Sequence, residues 1–178
     1  MLLVATPMLL DPNFESSVVL LLESNEDGAL GVILNRPTSI AVGDVLEPWA
    51  DLAAEPGVLF RGGPVAPDGA LGLAALLELE SEPLGFSAVA GGVGIIDLDA
   101  PVDLVEGALG RVRIFAGYAG WDAQQLLGEI EEGSWYVLPA EPRDVFRVDV
   151  EELQREVLRR QPGELAWRLT RPLDPELN

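Results

Sequence analysis

The chain has 178 residues, 48% of them hydrophobic and 23% charged, which suits one folded domain over residues 1–178 with a sizeable core rather than a disordered chain. Its formal net charge of -19 argues against direct nucleic-acid binding, where cationic groups supply much of the free energy. Cys and His are absent and all eleven basic residues are Arg, so thiol chemistry, disulfides, imidazole bases, Schiff bases and phosphate-loop lysines are excluded.

The segment from Met1 to Pro7 has no positive charge and meets Asp11 early, so no secretory leader is expected. The longest apolar run, Ala88 to Ile96, falls far short of the roughly 20 residues that a membrane-spanning helix needs. A cytoplasmic location with no membrane contact is the expectation. Apolar runs bounded by turn residues predict strands at Leu2 to Ala5, Val18 to Leu22, Ala29 to Leu34 and Val58 to Phe60. Further strands are expected at Leu71 to Leu77, Phe86 to Val89, Val112 to Phe115 and Trp135 to Leu138. Asn25-Glu26-Asp27-Gly28 predicts a hairpin, because Asp-Gly suits a tight turn with positive φ, and Pro67-Asp68-Gly69 predicts a second.

Helices are expected at Ile40 to Leu46 and at Val102 to Leu109, the latter opened by Pro101. Asp122 to Gln125 resembles a capping box, and Ala123, Leu126, Leu127 and Ile130 share one helical face, with Gly133 as the stop. Asp149 to Glu152 opens another helix, with Val150, Leu153, Val157 and Leu158 aligned and Arg159-Arg160 at its C-terminal end. Beyond Pro162 the prolines prevent its prolongation. Strands grouped in hairpins, with helices inserted and appended, give an α+β pattern rather than βαβ alternation.

Several motifs invite chemistry and resolve into turns. Asp27-Gly-Ala-Leu-Gly31 recurs as Asp68-Gly-Ala-Leu-Gly72 and nearly as Glu106-Gly-Ala-Leu-Gly110, but the flanks differ, so a repeated way of entering a strand explains them. Gly91-Gly92-Val93-Gly94 lacks the third glycine of a dinucleotide loop. Asp97-Leu98-Asp99 has the spacing of magnesium-dependent phosphatases without their downstream Lys. Glu129, Glu131 and Glu132 read as a solvated helix face.

Three motifs read as binding surfaces. Asn35-Arg36-Pro37 delivers a guanidinium to a strand end, where either a bound group or a carboxylate across the barrel mouth or an interface would meet it. Arg61-Gly62-Gly63-Pro64-Val65 ends a strand with a backbone that something can approach closely. Phe115-Ala116-Gly117-Tyr118-Ala119-Gly120-Trp121 runs from a strand into a helix and carries two amphipathic aromatics. The candidate ligand- or partner-binding residues are thus Asn35, Arg36, Gly62, Gly63, Pro64, Tyr118, Gly120 and Trp121, with no catalytic residue, metal ligand or cofactor assigned.

These motifs in order, with Ala5-Thr6-Pro7, Asp11-Pro12, Phe14 and Asn25 to Gly31 before them and Gln125-Leu126, Glu129-Ile130 and Leu138-Pro139-Ala140 after, resemble the AlgH/YqgE family of bacterial proteins. The match runs to about Tyr136 and loosens over the last forty or so residues. Members often carry His before the Asn-Glu pair and Gly-Pro-Gly before Gln-Leu, where this chain has Ser24 and Asp122-Ala123-Gln124. The resemblance implies a bent mixed or antiparallel sheet forming a partial barrel with helices packed outside. It also implies a role in transcriptional regulation, without a reaction or cofactor.

Four functions follow as expectations, in this order. A regulatory protein would act through partner contacts at Tyr118 and Trp121. A binder of a small anionic ligand would use Arg36, Arg61 and the Gly62-Gly63 backbone. Direct DNA control would need a basic face, which arginines dispersed along the chain do not suggest. A carboxylate and magnesium hydrolase would need Asp11, Glu26, Asp27, Asp97 and Asp99 to converge.

Overall fold

A computed structural model describes residues 1–79 and 82–162; the prolines beyond Pro162 lie outside the described residues. The chain order is β1 (Leu2–Ala5), β2 (Val18–Asn25), β3 (Gly28–Ile33), β4 (Pro37–Ala41), α1 (Val42–Val45), a 3-10 turn (Glu47–Leu52), β5 (Val58–Arg61) and β6 (Val65–Leu76). It continues as β7 (Phe86–Ala90), β8 (Val93–Ile96), α2 (Val102–Val105), a 3-10 turn (Glu106–Ala108) and β9 (Leu109–Asp122). The last elements are α3 (Ala123–Glu131), β10 (Trp135–Leu138), α4 (Pro142–Val145) and α5 (Leu153–Arg159).

The strands form one curled α+β sheet in the order β10-β1-β2-β3-β9-β6-β8-β7, with β5 also pairing β9 and β4 pairing β5. All pairings are antiparallel except β5 with β9. Side-chain alternation divides the core into three. Leu2, Val4, Val18, Leu20, Val32, Leu73 and Phe115 come from both halves of the sheet yet meet in one cluster, so they occupy the inner face of the curl. Leu3, Val19 and Ile33 point to the other side, beneath Leu126 of α3. Ala74, Val112 and Ile114 face out under Val42, Trp49 and Val105. Helices α1, α2 and α3 therefore pack outside. The inner face is closed by α4, α5 and the loop between them through Val145, Phe146, Val150, Leu153, Val157 and Leu158, of which Val150, Leu153, Val157 and Leu158 are the residues that the sequence aligns.

The β2–β3 hairpin forms as its turn residues require. Asn25 Oδ1 accepts hydrogen bonds from the N–H of Asp27 at 2.8 Å and of Gly28 at 3.2 Å, and Gly28 takes a φ of 152°. The β7–β8 turn has positive φ at both Gly91 (57°) and Gly92 (79°), as a type I′ turn demands. Asp97 Oδ1 accepts from the Asp99 N–H at 2.9 Å, so that carboxylate pair is an Asx turn. Helix α3 opens on Asp122, whose Oδ1 accepts from the Gln125 N–H at 2.7 Å, and closes at Gly133 with φ 82°.

The structure corrects six expectations of the fold. The helix expected over Val102 to Leu109 ends at Val105, and a 3-10 turn leads from it into β9 at Leu109. The strand at Val112 does not end at Phe115 but runs to Asp122, so the aromatic-glycine stretch is strand and only Asp122 is the junction with α3. Pro67-Asp68-Gly69 makes no hairpin; Ala66 to Gly69 bulge out of β6 between Val65, paired with Tyr118, and Ala70, paired with Ala116. The helix expected from Ile40 shrinks to α1, because Ile40 extends β4 against β5. The helix expected from Asp149 starts at Leu153, since a turn closed by the Leu153 N–H and the Val150 carbonyl at 3.2 Å precedes it. Strands β4 and β8 are additional, the first mostly exposed and the second short, starting at Val93 directly after the Gly91-Gly92 turn and containing Gly94.

Candidate functional site

Gly117 is the only residue of β9 opposite the four bulged residues of β6, and its φ is 70°. This left-handed residue reverses the alternation of the strand. Before it, Phe115 faces the inner core and Val112 and Ile114 face out. After it, Tyr118 packs against the inner core while Ala119 and Trp121 face out beside α3. An added Cβ at Gly117 would lie 2.8 Å from the carbonyl oxygens of both Gly63 and Val65.

The predicted residues gather around this kink through the backbone. Asn35 Oδ1 accepts from the Val18 N–H at 2.9 Å, and its Nδ2 donates to the Ser16 carbonyl at 2.9 Å. The side chain thereby holds Ser16, which has a φ of 57°. Arg36 Nη2 donates to the Glu15 carbonyl at 2.7 Å; its partner is a backbone oxygen rather than the carboxylate expected across the barrel mouth. Arg61 N–H donates to the Arg36 carbonyl at 2.8 Å. Gly62 bridges two strands, accepting from Ile33 at 2.8 Å and donating to Ala116 at 2.8 Å. A side chain on Gly62 would strike the Gly117 carbonyl, and one on Gly63 the Tyr118 carbonyl. Pro64 is exposed beside them.

The aromatic pair does not share a face. Tyr118 is half-buried, with Gly120 on its own side, where an added Cβ would lie 3.6 Å from the Tyr118 ring. Trp121 is buried on the opposite side in a cage of rings, with centroids 5.6 Å from Phe14 and 5.9 Å from Trp135. Glu129 Oε2 accepts from both indole N–H groups, at 3.0 Å from Trp121 and 2.8 Å from Trp135. Glu129 is thus not a solvated face residue, and its Oε1 also accepts from Gln125 Nε2 at 2.9 Å. Among the described residues no group of three or more Asp and Glu could hold a metal ion.

Elsewhere the fold builds a site that sequence order conceals. A cleft of about 580 Å³ opens between β9, α4 and α5, and four of the eleven arginines line it. Arg111 comes from β9, Arg143 from α4, Arg147 from the loop that follows, and Arg160 from the end of α5. Asp144 and Glu156 are the carboxylates in the lining, and Ala75, Pro142 and Phe146 are its apolar part. By contrast, the groove of about 280 Å³ between α3 and the sheet contains no charged side chain in its lining.

The guanidiniums differ in their partners. Arg160 grips Asp144 with two hydrogen bonds, and Asp144 is buried; that hydrogen bonding holds the Arg160 guanidinium above its ordinary range despite burial. Arg143 pairs with Glu141 at 2.5 Å. Arg147 Nε donates to the Asp149 carbonyl at 2.5 Å, and its Nη2 lies 4.0 Å from the Asp149 carboxylate. Arg111 makes no ion pair or side-chain hydrogen bond among the described residues. Beneath the cleft Arg113 is 2% exposed and has no carboxylate partner among the described residues. It donates to the carbonyls of Val145 at 2.8 Å, Arg147 at 2.9 Å and Glu55 at 2.5 Å, and stacks 4.3 Å over the Phe60 ring. Burial, then the charge of Arg111, lowers its pKa to about 10.

The AlgH-like family model (DUF179) matches residues 2–166. A UPF0301 protein of Streptomyces coelicolor is 58% identical over 180 residues, covering 99% of this chain and 93% of its own. Another from Mycobacterium leprae is 47% identical, covering 99% and 89%. Among solved structures, a protein of Corynebacterium diphtheriae aligns with a TM-score of 0.88 at 30% identity over 96% of this chain and 90% of its own. The AlgH protein of Pseudomonas aeruginosa aligns with a TM-score of 0.69 at 28% identity over 96% and 92%. With a family model spanning nearly the whole chain and relatives this similar, the chain belongs to the AlgH-like family.

Proposed function

We propose that this protein is a cytoplasmic binding protein that takes a small anionic ligand in the cleft between β9, α4 and α5, and that regulation through protein contacts is its output. The convergence of four guanidiniums in one cleft, on a chain of net charge -19, carries this reading. An acidic chain repels anions over most of its surface, so a clustered set of cations marks the place where one is welcome. The cleft volume falls within the range of small-molecule sites, and the apolar lining gives a ligand a surface to desolvate. Guanidinium forks offer paired donors to carboxylate or phosphate oxygens.

The test is a thermal-shift and calorimetric screen of the purified protein with phosphate, sulfate, citrate and mononucleotides at fixed ionic strength. At least one anion stabilises the wild type, and Arg111→Gln with Arg147→Gln abolishes that stabilisation while leaving the far-ultraviolet spectrum intact. A wild type that responds to no anion in the panel overturns the reading.

A further inference from the structure

Resting on that reading, we infer that the ligand of the arginine cleft carries a phosphoryl group as a monoester on a small apolar body, rather than a carboxylate or a singly charged sulfate ester. The cleft already contains carboxylates. Asp144 occupies the Arg160 fork, Glu141 holds Arg143 and lies 3.5 Å from Arg160, and Glu156 sits in the lining. A carboxylate ligand would offer these two arginines only what they already have. Net attraction has to come from the cations whose charge is least answered.

Those are Arg111, with no ion pair among the described residues, and Arg147, whose nearest carboxylate stands 4.0 Å away. They approach from separate elements, one from β9 and one from the loop after α4. Arg113 adds a third positive charge below them, because its hydrogen bonds go to carbonyls that leave the charge uncancelled. Two forks on different elements suit a group with three acceptor oxygens better than a planar one with two. A phosphate monoester presents three oxygens and roughly -1.5 to -2 charge near neutrality. Phe146, Pro142 and Ala75 then face the organic part.

Its second ionisation, near pH 6, makes recognition pH-dependent through the ligand. The charged groups facing that ligand are Arg111 on β9, Arg143 and Asp144 on α4, Arg147 on the loop, and Glu156 and Arg160 on α5. Calorimetry with phenyl phosphate, phenyl sulfate and benzoate at constant ionic strength tests the inference, because the three probes share a ring and differ in charge and oxygen count. Phenyl phosphate binds about tenfold or more tightly than the other two at neutral pH, and its lead over phenyl sulfate shrinks as pH falls through about 6. Arg111→Gln and Arg147→Gln each weaken it about tenfold, whereas Arg155→Gln, a charge change on the outer side of α5 away from the cleft lining, leaves it unchanged.

Equal binding of phenyl sulfate or benzoate, abolished by the same two variants, overturns the phosphoryl inference and leaves the anion cleft standing. Binding of no probe, or binding insensitive to Arg111→Gln and Arg147→Gln, overturns the inference and, in a wild type silent to every anion of the wider screen, the cleft reading as well.

Discussion

Arg160 clasps Asp144 through two hydrogen bonds, Nη1 to Oδ1 at 2.6 Å and Nη2 to Oδ2 at 2.5 Å, and so fastens the end of α5 to α4 across the arginine cleft. Asp144 Oδ2 also accepts the Glu141 N–H at 2.8 Å. Removing the carboxylate takes two hydrogen bonds from the guanidinium, which keeps the Pro139 carbonyl at 3.1 Å and Glu141 at 3.5 Å, and orphans a backbone donor. Asp144→Ala is expected to destabilise the protein by about 3 kcal/mol in urea denaturation, at the lower end for a broken buried pair because the Arg160 side chain keeps 18% exposure. A loss below about 1 kcal/mol would show that the clasp is dispensable for the fold.

Among the described residues, Arg113 is a buried cation whose hydrogen-bond partners are all neutral carbonyls. Its folded pKa of about 10 lies below the ordinary guanidinium range, so the unfolded chain holds the proton more tightly and the charge opposes folding at neutral pH. That penalty relaxes as pH rises through about 10. The stability difference between wild type and Arg113→Gln should therefore shift in favour of wild type from about pH 9 to about pH 11, measured by denaturant midpoint at each pH. A flat difference would contradict the assignment of the alkaline shift to Arg113.

Gly117 and Gly120 sit three residues apart in one strand and predict opposite outcomes. Gly117→Ala places a Cβ 2.8 Å from two carbonyl oxygens at a φ of 70°, and a loss of about 2–4 kcal/mol is expected. Gly120→Ala meets only the Tyr118 ring at ordinary contact distance and should change stability by less than about 0.5 kcal/mol. Thermal denaturation of the two variants side by side checks the contrast.

Glu129 holds two indole N–H groups with one oxygen. Glu129→Ala leaves both donors unsatisfied in a buried cage, and about 2–4 kcal/mol of destabilisation should accompany altered tryptophan fluorescence. Glu129→Gln retains an acceptor oxygen and should lose less. Equal losses in the two variants would show that packing, not the hydrogen bonds, secures the cage.

Local chemistry made part of this fold legible. Asn25 to Gly28 carries its turn in its own side chains, and Asp122 caps the helix that follows it, so spacing alone locates the β2–β3 hairpin and α3. Strand β4 escapes notice because its residues are mostly exposed and begin at Pro37, which gives no alternation to read. The length of β9 escapes for a different reason. Its glycines look like a break, and only the pairing of Ala119 to Asp122 with β3 shows that they are not. The arginine cleft lies furthest from sequence reading. Arg111, Arg143, Arg147 and Arg160 are dispersed along the chain, and only the return of α4 and α5 over the inner face of the curl brings them together.

Gly117 also fixes how this strand can change over time. Because it inverts the beat of the side chains, β9 behaves as two half-waves spliced out of step, one carrying Arg113 and Phe115 inward and the other sending Trp121 outward. An extended residue in place of the glycine would put the second half-wave back in step, turning Trp121 toward the interior and Tyr118 toward α3, whereas deleting the glycine would leave Tyr118 inward and Trp121 outward as they are. What the motif fixes is therefore the left-handed conformation at this one position, a constraint on backbone shape that no list of contacts expresses.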